Sequence, residues 1–195
     1  KIKSKDLGIT IAGVNSLFPV GDARREAYFY KLDDPEWQEA GLAYLYKWRY
    51  ARYGSSVAGE VWLSGMDVNR VIFRLADMYL LRAECRVKMD DRTGAEADLN
   101  VIRQRAGAEM WPAKNDSGDL KYDIFREREK ELLYEGHRYY DVVRNGYWKT
   151  ELQGNFSELS VDDVKDGALY MPVPQTAFSQ NDLMIQNAFW ASKMK

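Results

Sequence analysis

Between residues 71 and 106 the apolar side chains recur at helical spacing almost without a break, and that pattern constrains the fold more than any other feature. Ile72, Leu75, Ala76, Tyr79, Ala83 and Val87 fall on one face of a helix. Phe73, Leu80 and Leu81 widen the stripe, so this helix is expected to be covered on more than one side. Asp90-Asp91-Arg92 ends the pattern. Thr93-Gly94-Ala95-Glu96 then reads as a capping box, in which a Thr hydroxyl and a Glu three residues later satisfy free N–H groups of a first turn. The helix it opens carries Ala95, Leu99, Ile102 and Ala106 on one face, and Gly107 stands where a left-handed C-terminal cap belongs. The prediction is a helical hairpin over 71–106.

A second helical stretch is expected from about Leu120 to Arg144, punctuated by Gly136. Phe125, Leu132, Tyr139 and Val143 share its apolar face, but Arg128 and Glu129 interrupt that face. Charges there imply ion pairs at a helix contact. The interval from residue 72 to residue 120 exceeds the roughly 34-residue period of a regular tetratricopeptide array. Residues 1–70 read as an irregular, aromatic-rich segment packed on the helices. Within it Leu42, Tyr44, Tyr46, Trp48 and Tyr50 alternate as in a strand, while the stretch from Glu36 to Tyr46 also suits a helix, Gly41 aside. Beyond Asn145-Gly146 the chain turns polar. Ala168 to Pro174 reads as an extended segment, and its prolines exclude a central strand.

Composition excludes several functions. A net charge of −2 over 195 residues offers no global positive field for nucleic acid or an anionic membrane. One cysteine, Cys85, and one histidine, His137, leave no disulfide framework and no zinc site of the Cys/His type. Neither a metal nor a cofactor is expected. No apolar run approaches the ~20 residues that span a bilayer. The opening Lys1-Ile2-Lys3-Ser4-Lys5-Asp6 has no initiator Met, signal peptide or lipidation motif, so the chain reads as part of a longer one.

Three constellations invite chemistry. Glu127, Glu131 and Glu135 stand four apart on one helix face, and paired carboxylates are what a glycoside hydrolase uses. Arg128, Arg138, Asp141 and Arg144 interleave with them, however, and such a ladder more often fixes packing. Glu131, Glu135, Arg138 and Asp141 are therefore expected as ion-pair partners, and deleting Arg138 from a buried ladder would cost on the order of 3 kcal/mol. Asn115-Asp116-Ser117-Gly118-Asp119 resembles a calcium loop but lacks its bidentate Glu, and a turn with Asp119 capping the next helix is the plainer reading. Trp37, Trp48, Tyr50, Tyr53 and Trp62 cluster in the first third. A sugar's C–H face stacks on such rings while its hydroxyls seek groups like Arg49, Arg52, Asp67 and Asn69. Any single Trp among them serves core filling more often than ligand contact. Trp37, Trp48, Tyr50 and Trp62 are the ligand-binding candidates, Trp62 foremost, because Gly59, Ser64 and Gly65 leave room beside it.

Three blocks resemble the SusD/RagB family, in order. The first runs from Arg74-Leu75-Ala76-Asp77-Met78-Tyr79 to Ala83-Glu84, followed by Leu99-Asn100-Val101-Ile102-Arg103-Gln104-Arg105-Ala106-Gly107. The second runs from Glu127-Arg128-Glu129-Lys130-Glu131-Leu132-Leu133-Tyr134-Glu135-Gly136 to Asp141-Val142-Val143-Arg144. The third is Tyr170-Met171-Pro172-Val173-Pro174 with Gln186-Asn187. Asp22-Ala23-Arg24 is a looser upstream match. Cys85 and Ala188-Phe189-Trp190 depart from the family pattern as packing variants. The resemblance implies a predominantly all-α fold of tetratricopeptide-like helical hairpins, with a loop-rich N-terminal third and C-terminal tail, from the C-terminal part of such a protein. It also implies a surface-exposed outer-membrane lipoprotein whose lipid anchor lies outside this chain. That protein would bind oligosaccharide without catalysis and partner a SusC-like TonB-dependent transporter, with much of its ligand site in a preceding half. A helical protein-interaction scaffold without sugar binding is the alternative.

Overall fold

The structure, a computed structural model, describes residues 9–66, 69, 71–152, 154–179, 181 and 183–193. About half the chain is helical and the strands are few and short, as the pattern predicts. Two compact units emerge, residues 1–136 and 137–195, and each is described by itself. Within the first, charged groups of the first third are buried against the helices that follow.

The first unit opens with β1 (Ile9–Thr10), α1 (Ile11–Leu17), α2 (Arg24–Tyr28), β2 (Phe29–Tyr30), α3 (Pro35–Ala40) and β3 (Leu42–Leu45). The strands form a small antiparallel sheet in the order β1-β3-β2. Of the alternation from Leu42 to Tyr50 only Leu42–Leu45 is a strand, with Lys47 and Trp48 in a turn beyond it, and Gly41, at φ 66°, turns the chain into the strand from α3. Phe18, Phe29, Leu32, Trp37 and Ala43 are buried together as the core of this part. An antiparallel hairpin follows, β4 (Ala51–Ser55) and β5 (Val61–Met66).

The helical part comprises α4 (Leu75–Lys88), α5 (Arg92–Arg105) and α6 (Leu120–Glu131). Both α5 and α6 pack on α4 around Ala76, Leu80, Ala83, Ala95, Leu99, Ile102, Leu120 and Ile124. The stripe of α5 is the one read from sequence, and Gly107 takes the left-handed conformation at φ 65°. Two expectations are corrected. Helix α4 begins at Leu75, and Ile72, Phe73 and Leu75 are exposed, because the extended Arg74 ends the preceding segment and turns the buried face to Ala76, Leu80 and Ala83. The cap of α5 is Asp91, whose carboxylate accepts from the Gly94 N–H at 2.9 Å, which places Thr93 inside the first turn. With Asp91 as cap the helix starts two residues earlier than a Thr93 cap would start it, and a carboxylate is a stronger acceptor for a first-turn N–H than a hydroxyl.

The expected stretch 120–144 is interrupted. Tyr134 (φ 61°) and Gly136 (φ 87°) separate α6 from α7 (Arg138–Asn145), so one helical ladder of charges is impossible. The four groups are ion-paired, Asp141 with Arg144 of the same helix as expected and the other three with partners from elsewhere. Glu131, fully buried, meets Arg24 at 3.3 Å, Arg74 at 2.5 Å and Arg105 at 2.5 Å. Glu135 meets Arg74 at 2.8 Å and Lys47 at 2.5 Å. Arg138 pairs with Glu151, and Asp141 with Arg144 at 2.7 Å. Around the first pair the network continues: Arg24 reaches Asp22 and Glu127, each at 2.7 Å, and Arg103 bridges Glu127 to Asp116. Arg128 pairs with Asp77 of α4 at 2.8 Å, the helix-contact ion pair expected of it.

The second unit continues with α8 (Trp148–Glu151), a single 3₁₀ turn, α9 (Val161–Lys165), α10 (Gln175–Phe178) and α11 (Ala188–Lys193). Its extended stretch is held by side chains in place of a partner strand. Gln186 accepts from the Val173 N–H at 3.1 Å and donates back to the Val173 carbonyl at 3.0 Å, as a strand neighbour would. Asn187 accepts from the Trp190 N–H, and the Trp190 indole N–H donates to the Tyr170 carbonyl at 2.7 Å.

Removing Arg24 leaves the buried Asp22 without its guanidinium and takes one of several cations from Glu127 and Glu131, so Arg24→Ala is expected to lower unfolding free energy by about 3–5 kcal/mol. Arg138→Ala, whose guanidinium is 32% exposed, is expected to lose less. Denaturant unfolding of both variants checks the order, and equal losses would contradict it. A second expectation concerns pH. Burial alone pushes the carboxyls of Glu131 and Glu135 up, but Arg74 acts on both, Arg105 on Glu131 and Lys47 on Glu135, and together they hold each below its ordinary 4.5. A carboxyl lowered in the folded state stabilises above its unfolded value and stops doing so as pH falls through the folded one. Stability is therefore expected to hold from neutrality down to about pH 5 and to decline progressively below it. Melting across that range checks this, and a Glu135→Gln protein is expected to show a shallower decline.

Candidate functional site

The acidic helix face is spoken for. Glu127 and Glu131 are buried among guanidinium groups, and Glu131 and Glu135 are held ionised. A general acid needs the opposite shift, a carboxyl raised toward neutrality. The 115–119 turn is likewise occupied. Both Asp116 oxygens accept from Arg103 at 2.8 Å, one also accepts from the Ala113 N–H, and Asp119 caps α6 through the Lys121 N–H.

The aromatic residues of the first third divide by exposure. Trp37 lies in the core, 4% exposed, with its ring 4.5 Å from that of Tyr44. Its position one turn into α3 faces it inward, so it offers no face to a ligand. Trp48 stands half-buried in the turn after β3. Tyr50, Tyr53 and Trp62 are exposed, Trp62 by 50%. Asp67 lies outside the described residues, and Asn69 is exposed.

Two surfaces result. On the hairpin, Trp62 is paired across the strands with Gly54. Its indole lies so close over that glycine that a Cβ there would meet the ring at 2.7 Å. The absent side chain lets the ring lie against the strand backbone and leaves part of it to solvent. Tyr53 pairs with Leu63, the next position along the strand, which turns it to the opposite face of the ribbon. Ser64 beside Trp62 donates to the Arg52 carbonyl at 3.0 Å and pins the irregular register there.

The second surface runs along the sheet edge. Tyr30 and Tyr46 lie 5.5 Å apart, and the Arg49 guanidinium sits 4.8 Å from the Tyr46 ring and 5.2 Å from the Tyr50 ring. Tyr50 and Arg49 are candidates from the sequence, whereas Tyr30 reaches Tyr46 only because β2 and β3 pair Tyr30 with Tyr44. The spacing Tyr46-x-x-Arg49-Tyr50 was the available signal for the rest. In the second unit, Tyr139, Tyr140, Phe156, Tyr170, Phe189 and Trp190 line an open, mostly apolar groove of about 930 Å³.

Comparison with known proteins gives a consistent result. Residues 30–190 match the model of the SusD family. A SusD-like protein of Formosa agariphila is 41% identical over 81 residues, which make up 40% of this chain and 15% of that protein. The solved SusD homologue of Bacteroides thetaiotaomicron VPI-5482 is similar with a TM-score of 0.68 and 27% identity, over 93% of this chain and 38% of that one. A solved protein of Bacteroides vulgatus described as a candidate sugar-binding protein shares 29% identity with a TM-score of 0.50, over 75% of this chain and 32% of its own. The chain spans less than two fifths of the length of each.

The Trp62–Gly54 arrangement has a direct spectroscopic consequence. The Gly54 α-protons, under the indole face, are expected to resonate upfield by ring-current shielding, and the shift is expected to vanish in Trp62→Ala. Gly54→Ala displaces the ring, whereas Gly65→Ala, whose Cβ meets nothing within 4 Å, leaves it in place. An unshifted Gly54 in the parent protein would mean that the ring does not cover it.

Proposed function

The chain belongs to the SusD family, and on that premise we propose that the whole protein binds oligosaccharides without altering them and delivers them to a SusC-like TonB-dependent transporter. The observation that supports this most directly is Trp62, a half-exposed indole laid over a glycine on a hairpin. A pyranose ring presents an apolar C–H face that stacks on such a ring, and its equatorial hydroxyls take hydrogen bonds at the periphery. Trp48 and Tyr50 extend the aromatic surface of the same unit. Binding by stacking needs no acid, base or nucleophile, which suits carboxylates committed to ion pairs. This reading puts the whole protein on the outer face of the outer membrane, as a lipoprotein.

A glycan array on the full-length protein names the sugar, and calorimetry with that sugar tests the surface. Trp62→Ala, Trp48→Ala and Tyr50→Ala are expected to weaken binding by about tenfold to a few hundredfold while keeping the native circular dichroism. Trp37→Ala is expected to act on stability, by about 3–5 kcal/mol, because it empties a core position. Folded surface variants that all retain parental affinity would place the sugar elsewhere in the protein. An array blank for every glycan, with tight binding of a peptide, would favour the interaction-scaffold alternative.

A further inference from the structure

Most arginines of the first unit find an acidic partner. Arg24, Arg74, Arg82, Arg86, Arg103, Arg105, Arg126 and Arg128 all pair with carboxylates. Arg49 does not. Among the described residues its guanidinium touches only the rings of Tyr46 and Tyr50, at 4.8 and 5.2 Å, and no protein acceptor takes its N–H groups. It is exposed, as are Tyr46 and Tyr50. One element further along, Lys31 lies 5.5 Å from the Tyr30 ring, and Tyr30 lies 5.5 Å from Tyr46. The edge of the sheet therefore carries two cations, each against aromatic rings, joined by the Tyr30–Tyr46 contact.

We propose that Arg49, held between Tyr46 and Tyr50, makes this surface selective for acidic oligosaccharides, those carrying a carboxylate or a sulfate ester on the sugar ring. The inference rests on the sugar-binding reading above and names the class of sugar. The chemistry is specific. A guanidinium presents five N–H donors in a planar fork that matches the two oxygens of a carboxylate or the oxygens of a sulfate. Two flanking rings orient that fork and lower its conformational freedom, so less entropy is lost when an anion docks. Tyr50, exposed by 59%, stands beside the fork at the distance of a neighbouring group on one saccharide, where its ring can take the sugar's C–H face. The overall charge of −2 repels an acidic glycan weakly, so attraction has to be local. Lys31 contributes less, because Asp33 and Asp34 follow it, although Asp34 is engaged in capping α3. A neutral glycan would use the rings and leave the guanidinium idle.

Calorimetry on the full-length protein tests this with three probes of similar length: an oligogalacturonide, a sulfated galactan oligosaccharide and a neutral galactan oligosaccharide. The expected result is preference for one or both acidic probes, with affinity falling as salt rises. Which acidic probe wins identifies carboxylate or sulfate as the group read. Arg49→Gln is expected to cost about tenfold or more on the acidic probe and nothing on the neutral one, and Arg49→Lys to recover part of the loss. Circular dichroism verifies each fold, which an exposed side chain without ion pairs is not expected to affect. Equal binding of neutral and acidic probes, sensitive to Trp62→Ala but not to Arg49→Gln, overturns the acidic selectivity and leaves sugar binding standing. Absence of binding to any saccharide on a broad array overturns both. Arg49-dependent binding of a single-stranded oligonucleotide, with no saccharide bound, overturns them in favour of nucleic acid.

Discussion

The first unit is organised around three carboxylates on one short run, Glu127, Glu131 and Glu135, and the cations that neutralise them. Burying a carboxylate without a partner costs several kcal/mol, so α6 can occupy the interior only if Arg24, Arg74, Arg103, Arg105 and Lys47 arrive together. They come from four places in the chain, Arg103 and Arg105 both from the end of α5. The Arg24–Glu131 contact closes 107 residues and the Arg74–Glu131 contact 57. The same groups also satisfy backbone carbonyls at the end of α6: Tyr28 and Lys47 donate to the Glu131 carbonyl, and Lys47 also to that of Leu133. The network thus ties the sheet, the hairpin helices and the break after α6 into one unit.

That arrangement also accounts for the family resemblance. Arg74, Asp77, Arg103, Arg105, Glu127, Arg128, Glu131 and Glu135, which stand in the first two resembling blocks, are members of buried or half-buried ion pairs. Gln186 and Asn187 of the third block hold the Tyr170–Pro174 stretch by hydrogen bonds. The blocks therefore specify scaffold. The groups proposed to meet a ligand lie outside them, in the segment after β3 and on the β4–β5 hairpin. The proposed ligand contacts fall on residues that these ion pairs leave uncommitted.

Freedom of that kind is visible in how aromatic residues are spent. Trp37, Phe18, Phe29 and Tyr28 are consumed by the small core beneath the sheet, which has too few aliphatic residues to fill itself. Tyr46, Tyr50, Tyr53 and Trp62 remain partly in water, at a cost in apolar exposure of about 25 cal/mol for each Å². Exposed rings in an ordered arrangement, one over a glycine and others around a guanidinium, form a surface prepared for stacking before any ligand arrives.

Local chemistry, acting over a few residues, was legible in the sequence by itself. The apolar stripe of α5, the left-handed Gly107, the Asp119 cap and the strand alternation after Gly41 depend on neighbours within one or two turns, and the family blocks add the fold class to them. Even there, Asp91 displaced Thr93 as a cap, because a charged acceptor nearby outweighs a neutral one. Tertiary structure alone decided which glutamate meets which arginine, and which aromatic is core and which is surface. Trp37 and Trp62 are the same residue type in the same irregular third of the chain. One is buried because α3 packs its face on the sheet, and the other is left in water because its strand has only a two-stranded partner. Burial is set by contacts between distant segments, and no periodicity within eleven residues carries that information.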